Sequence, residues 1–421
     1  MKKEEFEKYY KNAKPLFIDK DDLESIKPLT KQKYQPGFDK WILKYEAEKD
    51  IDVFFKILQF SYAGYDYYKD KINFIDVKNQ ILAELPEKDI TTTDFGKVIH
   101  HALYPYITDS HFVFLIEGEY SFKKLYRAYF TDLLLELKDD SYIVIKGNED
   151  IKEGYCFSYN QVKDYLFETL PATNGNKRYL LGIYTLQFPN NISINGYELL
   201  LHPCKTDDIQ QIKEGVKIDI INGVPIVHHS TYSFKSPQPS FDEYRELGQK
   251  YKNTEYLVWS ILSNNGGNSE YPKSFIMGLN DYAIWTMSAA VLNNPSLENL
   301  LPLKSFKIYE EGSINLACSN YKGTLYIIQN KKVASSGESA IMYGRCVRNK
   351  VFVGSASMGC GQFGDTLLYK LPYSNLFFSM GYKVFNMNGF EEGKGIYPDY
   401  WLDSQDPVND VVRFILLRKE L

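Results

Sequence analysis

The segment Val333-Ala334-Ser335-Ser336-Gly337-Glu338-Ser339 sets two hydroxyls among small residues, just after the apolar run TLYIIQN and a two-lysine turn. A strand that ends there and a helix that begins there would expose a serine where backbone N–H groups converge and the helix dipole favours negative charge. That placement suits a nucleophile with oxyanion donors close by. Serine also caps helices, and taken alone this segment reads first as a cap on Ser335 or Ser336. Ile107-Thr108-Asp109-Ser110-His111 sets a histidine before the apolar run FVF, the residue type most able to move a proton near neutral pH. Leu262-Ser263-Asn264-Asn265-Gly266-Gly267-Asn268 follows the apolar run YLVWSIL. Paired glycines there let the chain turn sharply and offer N–H groups to an anion, or simply make a tight loop. Glu391-Glu392-Gly393-Lys394-Gly395-Ile396-Tyr397-Pro398-Asp399 carries carboxylates in a glycine-rich loop, where they could orient a histidine or stand as solvated charges. The pairs His100-His101 and His228-His229 point in different directions on a helix or a strand and make poor joint metal ligands.

The elements that must hold these residues follow from the texture of the chain. Residues 1–110 read mostly helical: Phe54, Phe55, Ile57, Leu58, Phe60 and Tyr62 crowd one run, and Phe95, Val98, Ile99, Ala102 and Leu103 recur at helical spacing. A helix there is expected to start near Thr93 or Asp94. Residues 111–235, with the Ser-His element at their start, carry short β-type runs (SYIVIKG, RYLLGIYTLQF, YELLLHP, KIDIINGVPIVHH) broken by Asn-Gly and Gly-Asn turns. SPQPS at 236–240 reads as a linker. In 236–421, helix patterns (SFDEYRELGQKY, SEYPKSFIMGL, SGESAIMYGRCV, DPVNDVVRFILL) alternate with strand runs (YLVWSIL, TLYIIQN, VFVGS). Such alternation predicts an α/β layered core with parallel strands.

Bulk properties narrow the classes. With 421 residues, 44% hydrophobic and 24% charged, the chain can build two or three cores. Its 35 Tyr and 26 Phe are spread along the length rather than gathered into one stacking platform. A net charge of −5 without a basic cluster argues against nucleic acid. No run of about 18 apolar residues occurs, so no membrane span is expected. The charged start MKKEEFEKYYKNAK lacks the apolar stretch of a secretory signal. A cytoplasmic protein is the expectation as the chain stands, or an exported one if a native signal preceded it. Cys156, Cys204, Cys318, Cys346 and Cys360 fit neither a disulfide framework nor a zinc spacing and read as reduced core thiols. No metal or cofactor is expected.

In order along the chain, a Ser-His element, a strand with Asn-Gly-Gly, a strand–turn–Ser-x-x-Glu–helix, and Gly-x-Gly-Ile-x-Pro-Asp together resemble the tail-specific, C-terminal-processing serine peptidases, the tricorn core in particular. The resemblance covers roughly residues 95–115 and 236–421 and is absent from the first ninety. It implies a crotonase/Clp-like α/β spiral core with an N-terminal helical region and a β-rich middle module. By the same resemblance Ser335 is the nucleophile, with Ser336 the nearest other choice. His111 is the general base, Ser110 and Glu392 support it, and N–H groups of Gly266 or Gly267 and of Ser336 form the oxyanion hole. Where lysine-dependent members place their lysine stands Cys360, and where they place a glutamine stands Gly364, which leaves His111 as the base. Ile261-Leu262-Ser263 replaces the usual Asp-Leu-Arg. The activity implied is peptide hydrolysis on peptide or protein substrates, with a homo-oligomer compatible. The alternative is a relative that kept the fold, lost the chemistry and binds a peptide or polymer. GVKIDIINGVPI resembles a phrase of peptide-tail-binding PDZ modules, but its surroundings do not, and the middle module has no assigned partner.

Overall fold

The structure, a computed structural model, describes residues 3–29, 39–116, 118–212, 215–233, 238–285, 287–293, 302–310, 312–387 and 390–419. The first two residues of the expected 236–240 linker lie outside these. The chain forms two compact units, each drawn from separated stretches: Met1–Lys124, Thr286–Glu311 and Cys360–Gly393 in the first, Leu125–Trp285, Gly312–Gly359 and Lys394–Leu421 in the second. Each therefore takes residues from more than one of the three stretches distinguished by sequence texture.

The first unit combines the expected helices with a sheet that the sequence reading did not name. Helix Lys44–Ser61 carries the apolar run, and Phe54, Ile57, Leu58 and Phe60 are buried along it. Helix Thr92–Leu103 starts one residue before the expected range, because the Thr91 side chain accepts from the Asp94 N–H and caps it. Among the described residues the sheet runs in the order Phe306–Glu310, Met287–Leu292, Phe377–Met387, Val113–Ile116, Gly118–Ser121, with Phe363–Lys370 also on Phe377–Met387. All its pairings are antiparallel. Phe54 meets Phe114 and Phe378 at ring-centroid distances of 5.8 and 5.1 Å, so the helix is fastened to the sheet by aromatic contacts. These strands escaped the sequence reading because their alternation is broken by polar and small residues, as in Phe363–Lys370 (FGDTLLYK).

The second unit holds two larger sheets. One is antiparallel, built on Arg127–Lys138, Ser141–Lys146 and Arg178–Thr185. The other begins as a hairpin of Val216–Ile221 and Val224–His229, closed by the Asn222-Gly223 turn. It continues through four parallel pairings: Val224–His229 to Tyr256–Ser260, then Thr324–Gln329, Lys350–Gly354 and Tyr400–Trp401. Leu257, Val258, Trp259, Leu325, Ile327 and Ile328 are buried in consecutive runs, as strands covered on both faces require. The helices expected between them are present as Phe241–Lys250, Glu270–Asn280, Ser336–Gly344 and Pro407–Lys419. The fold is mixed α/β, and the parallel strands expected in 236–421 are there. Of the five cysteines, all free, Cys204, Cys346 and Cys360 are buried. Cys156 and Cys318 are exposed, so the reading of all five as core thiols is corrected for these two. Cys156 opens the strand Cys156–Ser158 on the face opposite buried Phe157, and Cys318 ends the short helical turn Leu316–Cys318, none of whose residues is buried. No helix among the described residues is long and apolar enough to cross a membrane.

Candidate active site

Strand Thr324–Gln329 ends at Asn330, whose side chain fixes the turn that follows. Its Oδ1 accepts from the Ser263 and Lys332 N–H groups at 2.9 and 3.2 Å, and its Nδ2 donates to the Thr206 carbonyl at 3.0 Å. Five residues on, Ser335 stands at φ 53°, ψ −120° and opens helix Ser336–Gly344. These are the dihedrals of the first central position of a type II′ turn, where glycine is the usual occupant. Holding serine there costs about 1–3 kcal/mol. Such an outlier persists only because its surroundings over-determine it. The Ala334 N–H donates to the Asn264 carbonyl at 3.0 Å, and the Met358 N–H to the Val333 carbonyl at 2.7 Å. The Ser335 N–H donates to Glu338 Oε2 at 3.2 Å, while Glu338 Oε1 accepts from Ser357 Oγ at 2.6 Å and the Gly359 N–H at 2.8 Å. The Ser-x-x-Glu spacing thus lets a buried glutamate take the N–H of the residue that opens the helix and clamp a second segment as well.

The two serines separate clearly. Ser336 is buried, donates from Oγ to the Gly267 carbonyl at 2.8 Å and receives Ser269 Oγ at 3.0 Å. Ser335 is partly exposed and its hydroxyl makes no cap hydrogen bond. Beside it lies the Asn-Gly-Gly loop. A Cβ on Gly266 would come within 2.9 Å of the Ser335 Cβ. The Gly266 N–H is occupied, donating to Asn264 Oδ1 at 3.0 Å. The N–H groups of Gly267 and Ser336 donate to no described residue, which makes them the two available oxyanion donors of those read from sequence. Gly267 sits at φ +140°, and a Cβ there would lie 1.9 Å from the Tyr232 carbonyl oxygen. Gly267→Ala is expected to destabilise the chain by roughly 3 kcal/mol, while a change at exposed Asn265 stays within about 0.5 kcal/mol. Urea unfolding of the two variants measures the difference, and equal midpoints would show that the loop relaxes freely.

Ser110, His111 and Glu392 come together in the first unit. Asp109, fully buried, accepts the His111 N–H on Oδ1 at 2.7 Å and the Tyr62 hydroxyl on Oδ2 at 2.9 Å. Glu392 accepts the Ser110 N–H at 3.2 Å and the Gln362 N–H at 2.9 Å. His111, 18% exposed, turns its Nδ1 toward Asp109 Oδ1 at 4.0 Å, and that nitrogen has no hydrogen-bond partner. Burial drives the His111 imidazole down to about 4, with Lys123 acting the same way and Asp365 opposing. The ring is therefore neutral at physiological pH and able to accept a proton. Asp109, Asp-x-His in sequence but given no role there, belongs to this cluster. One atom each from Asp109, His111 and Glu392 lies within 4.8 Å of the others. That is close enough for the three to be candidate ligands of a metal ion.

Burial raises the Asp109 carboxyl to about 7, against hydrogen bonds from His111, Tyr62 and Phe112 that lower it. The folded chain then keeps a proton that the unfolded chain loses near pH 4. Stability from this group is full below that pH and drains away as pH rises through about 7, by on the order of 4 kcal/mol. Asp109→Asn is expected to remove that decline. Unfolding free energies at acid, intermediate and neutral pH test it, and parallel profiles for the two chains would refute it.

Cys360, which the resemblance sets at a lysine position, is buried in the first unit. Gly364 pairs with Lys383 inside an antiparallel ladder. His100 Nε2 contacts the Ser121 carbonyl at 3.0 Å, and His229 Nδ1 receives the Trp259 indole N–H at 2.9 Å, both uses within the folding core. The structure thus gathers Ser335, Ser336, Gly266 and Gly267 in one unit and Ser110, His111 and Glu392 in the other. The sequence reading missed Asn264, which orders the glycine loop, and buried Lys331. An asparagine before a glycine pair was a usable signal for the first; nothing in the Lys331-Lys332 pair distinguished the buried member.

Several solved structures resemble this mixed α/β fold. The chain is similar to mature CPAF complexed with lactacystin, with a TM-score of 0.50 and 12% identity over 90% of this chain and 99% of that one. It is also similar to the photosystem II D1 C-terminal processing protease, at TM-score 0.38 and 11% identity over 86% and 93% of the two chains. For the tricorn protease the values are 0.42 and 14%, over 89% and 37%. At 12% identity the CPAF likeness is one of fold, and it is consistent with the tail-specific peptidase resemblance carried by the four motifs. No family model matches the chain, and no curated protein matches it by sequence.

Proposed function

We propose that this chain is a serine peptidase that cleaves peptide bonds through an acyl-enzyme on Ser335, with His111 as general base. The observation that carries the reading is Ser335 itself: a non-glycine residue held at φ 53° at the mouth of a helix, with a free hydroxyl. Its surroundings fit the role. The Gly267 and Ser336 N–H groups are open to a carbonyl oxygen as it gains charge, a contribution of about 3–4 kcal/mol per donor. On this reading the parallel sheet and its helices are the α/β spiral core of a tail-specific peptidase. His111, neutral at working pH, takes the Ser335 proton as the hydroxyl attacks. The protonated ring then gives that proton to the leaving amine, and water resolves the ester by the reverse route. Glu392, through the Ser110 N–H, and Asp109, through the His111 N–H, hold the backbone that carries the ring. The substrate class is peptide or protein.

Incubation with a fluorophosphonate, followed by mass mapping of the adduct, tests the assignment. One phosphonyl group per chain on Ser335 supports it. No adduct at neutral pH, or one on Ser336, turns the reading toward a fold that binds peptide without cutting it.

A further inference from the structure

Four residues before Ser335, Lys331 is 4% exposed and its ammonium is fully used. Nζ donates to the Ser357 carbonyl at 2.8 Å, to the Tyr184 hydroxyl at 2.9 Å and to the Lys394 carbonyl at 3.3 Å. These acceptors come from three separate places: strand Arg178–Thr185, the segment after strand Lys350–Gly354, and the glycine-rich loop that begins at Lys394. The Tyr184 hydroxyl in turn donates a hydrogen bond to the Lys394 carbonyl. Its ring lies 5.4 Å from the ammonium. On the main chain, the Lys331 N–H donates to Asp207 Oδ1 at 2.9 Å.

One of those acceptors leads directly to the nucleophile. Ser357, whose carbonyl Lys331 holds, donates from Oγ to Glu338 Oε1 at 2.6 Å and accepts the Ile396 N–H on the same oxygen at 2.7 Å. Glu338 in turn accepts the Ser335 N–H. The path from ammonium to the strained residue is therefore three hydrogen bonds long, the first two between buried groups and the last reaching the partly exposed Ser335. A cationic donor strengthens the carbonyl it binds and fixes its direction, and a fully satisfied network rigidifies what it contains. We infer that Lys331 is a positioning residue that keeps Ser335 in its strained, hydroxyl-outward conformation through Ser357 and Glu338. It touches no reacting atom.

This inference rests on Ser335 being the nucleophile, and the test keeps the two apart. Lys331→Met and Lys331→Arg are made in the full chain, and three quantities are measured: the second-order rate of fluorophosphonate labelling, the thermal midpoint, and the Ser335 dihedrals in a crystal structure. Lys331→Met leaves three buried acceptors without their donor, so a lower thermal midpoint is expected. Normalised to the folded fraction, the labelling rate should fall about 10–100-fold, as small misplacements of a reacting group do. Ser335 should leave positive φ, and arginine should restore part of the rate. If Lys331→Met does not fold, Tyr184→Phe removes one acceptor more gently, and a rate loss of about threefold or more without a change in midpoint supports the inference. A rate that falls only with the folded fraction overturns it, as does an unmoved Ser335. Should the parent chain take no label, the nucleophile reading fails, and the Ser335 dihedrals still decide whether Lys331 sets them.

Discussion

Ser335→Ala is expected to abolish peptide hydrolysis, a loss of about 10⁶-fold in turnover, as removal of a covalent nucleophile produces elsewhere. Rate in excess of the uncatalysed reaction would persist at the level that oxyanion donors alone supply. A companion substitution separates chemistry from backbone. Ser335→Gly also removes the hydroxyl, yet glycine takes φ 53° without steric cost, so it should be about 1 kcal/mol more stable than Ser335→Ala. Both variants should be inactive, and only their unfolding free energies should differ. Cys360→Ala is the control, because that side chain occupies the position of a lysine it cannot replace as a base. It should retain most of the activity. An active Ser335→Ala beside a dead Cys360→Ala would assign the nucleophile to the wrong residue.

What the sequence revealed, and what it hid, follows from how local each signal is. The parallel core was legible because its strands are buried on both faces and read as unbroken apolar runs, with Ser-x-x-Glu marking the start of the central helix. The choice between Ser335 and Ser336 was not legible from spacing alone. It depends on a backbone angle, and on Ser336 being used up by the Gly267 carbonyl and Ser269. The glycine pair was visible, but not that Asn264 occupies the Gly266 N–H and leaves Gly267 as the open donor. Lys331 was hidden for a different reason: adjacent lysines are chemically identical on paper, and only the long-range contacts to Tyr184, Ser357 and Lys394 show which one is interior. The antiparallel sheet of the first unit escaped because its strands come from three distant stretches, and pairing between them leaves no periodic trace in any one.

His111→Ala is expected to lower hydrolysis by about 10²–10⁴-fold, the usual share of a positioned general base, while leaving slow phosphonylation of Ser335 detectable. The more telling result is the pH profile. An ordinary histidine base loses activity as pH falls through about 6.5. Here burial lowers the imidazole to about 4, so its neutral, proton-accepting form persists well into the acid range. The second-order rate of labelling, which reports the free chain, should thus stay flat from neutral pH down to about 5 and fall only below that. In His111→Ala this acid limb should vanish, because the group that titrates is gone. Glu392→Gln should cost less than His111→Ala, since a carboxylate that orients the ring does not itself exchange the proton. A parent profile that breaks near 6.5, or an acid limb unchanged in His111→Ala, would place the base elsewhere. In the latter case a carboxyl would become the first candidate, and Asp109, raised to about 7 by its burial, would be the one to substitute next.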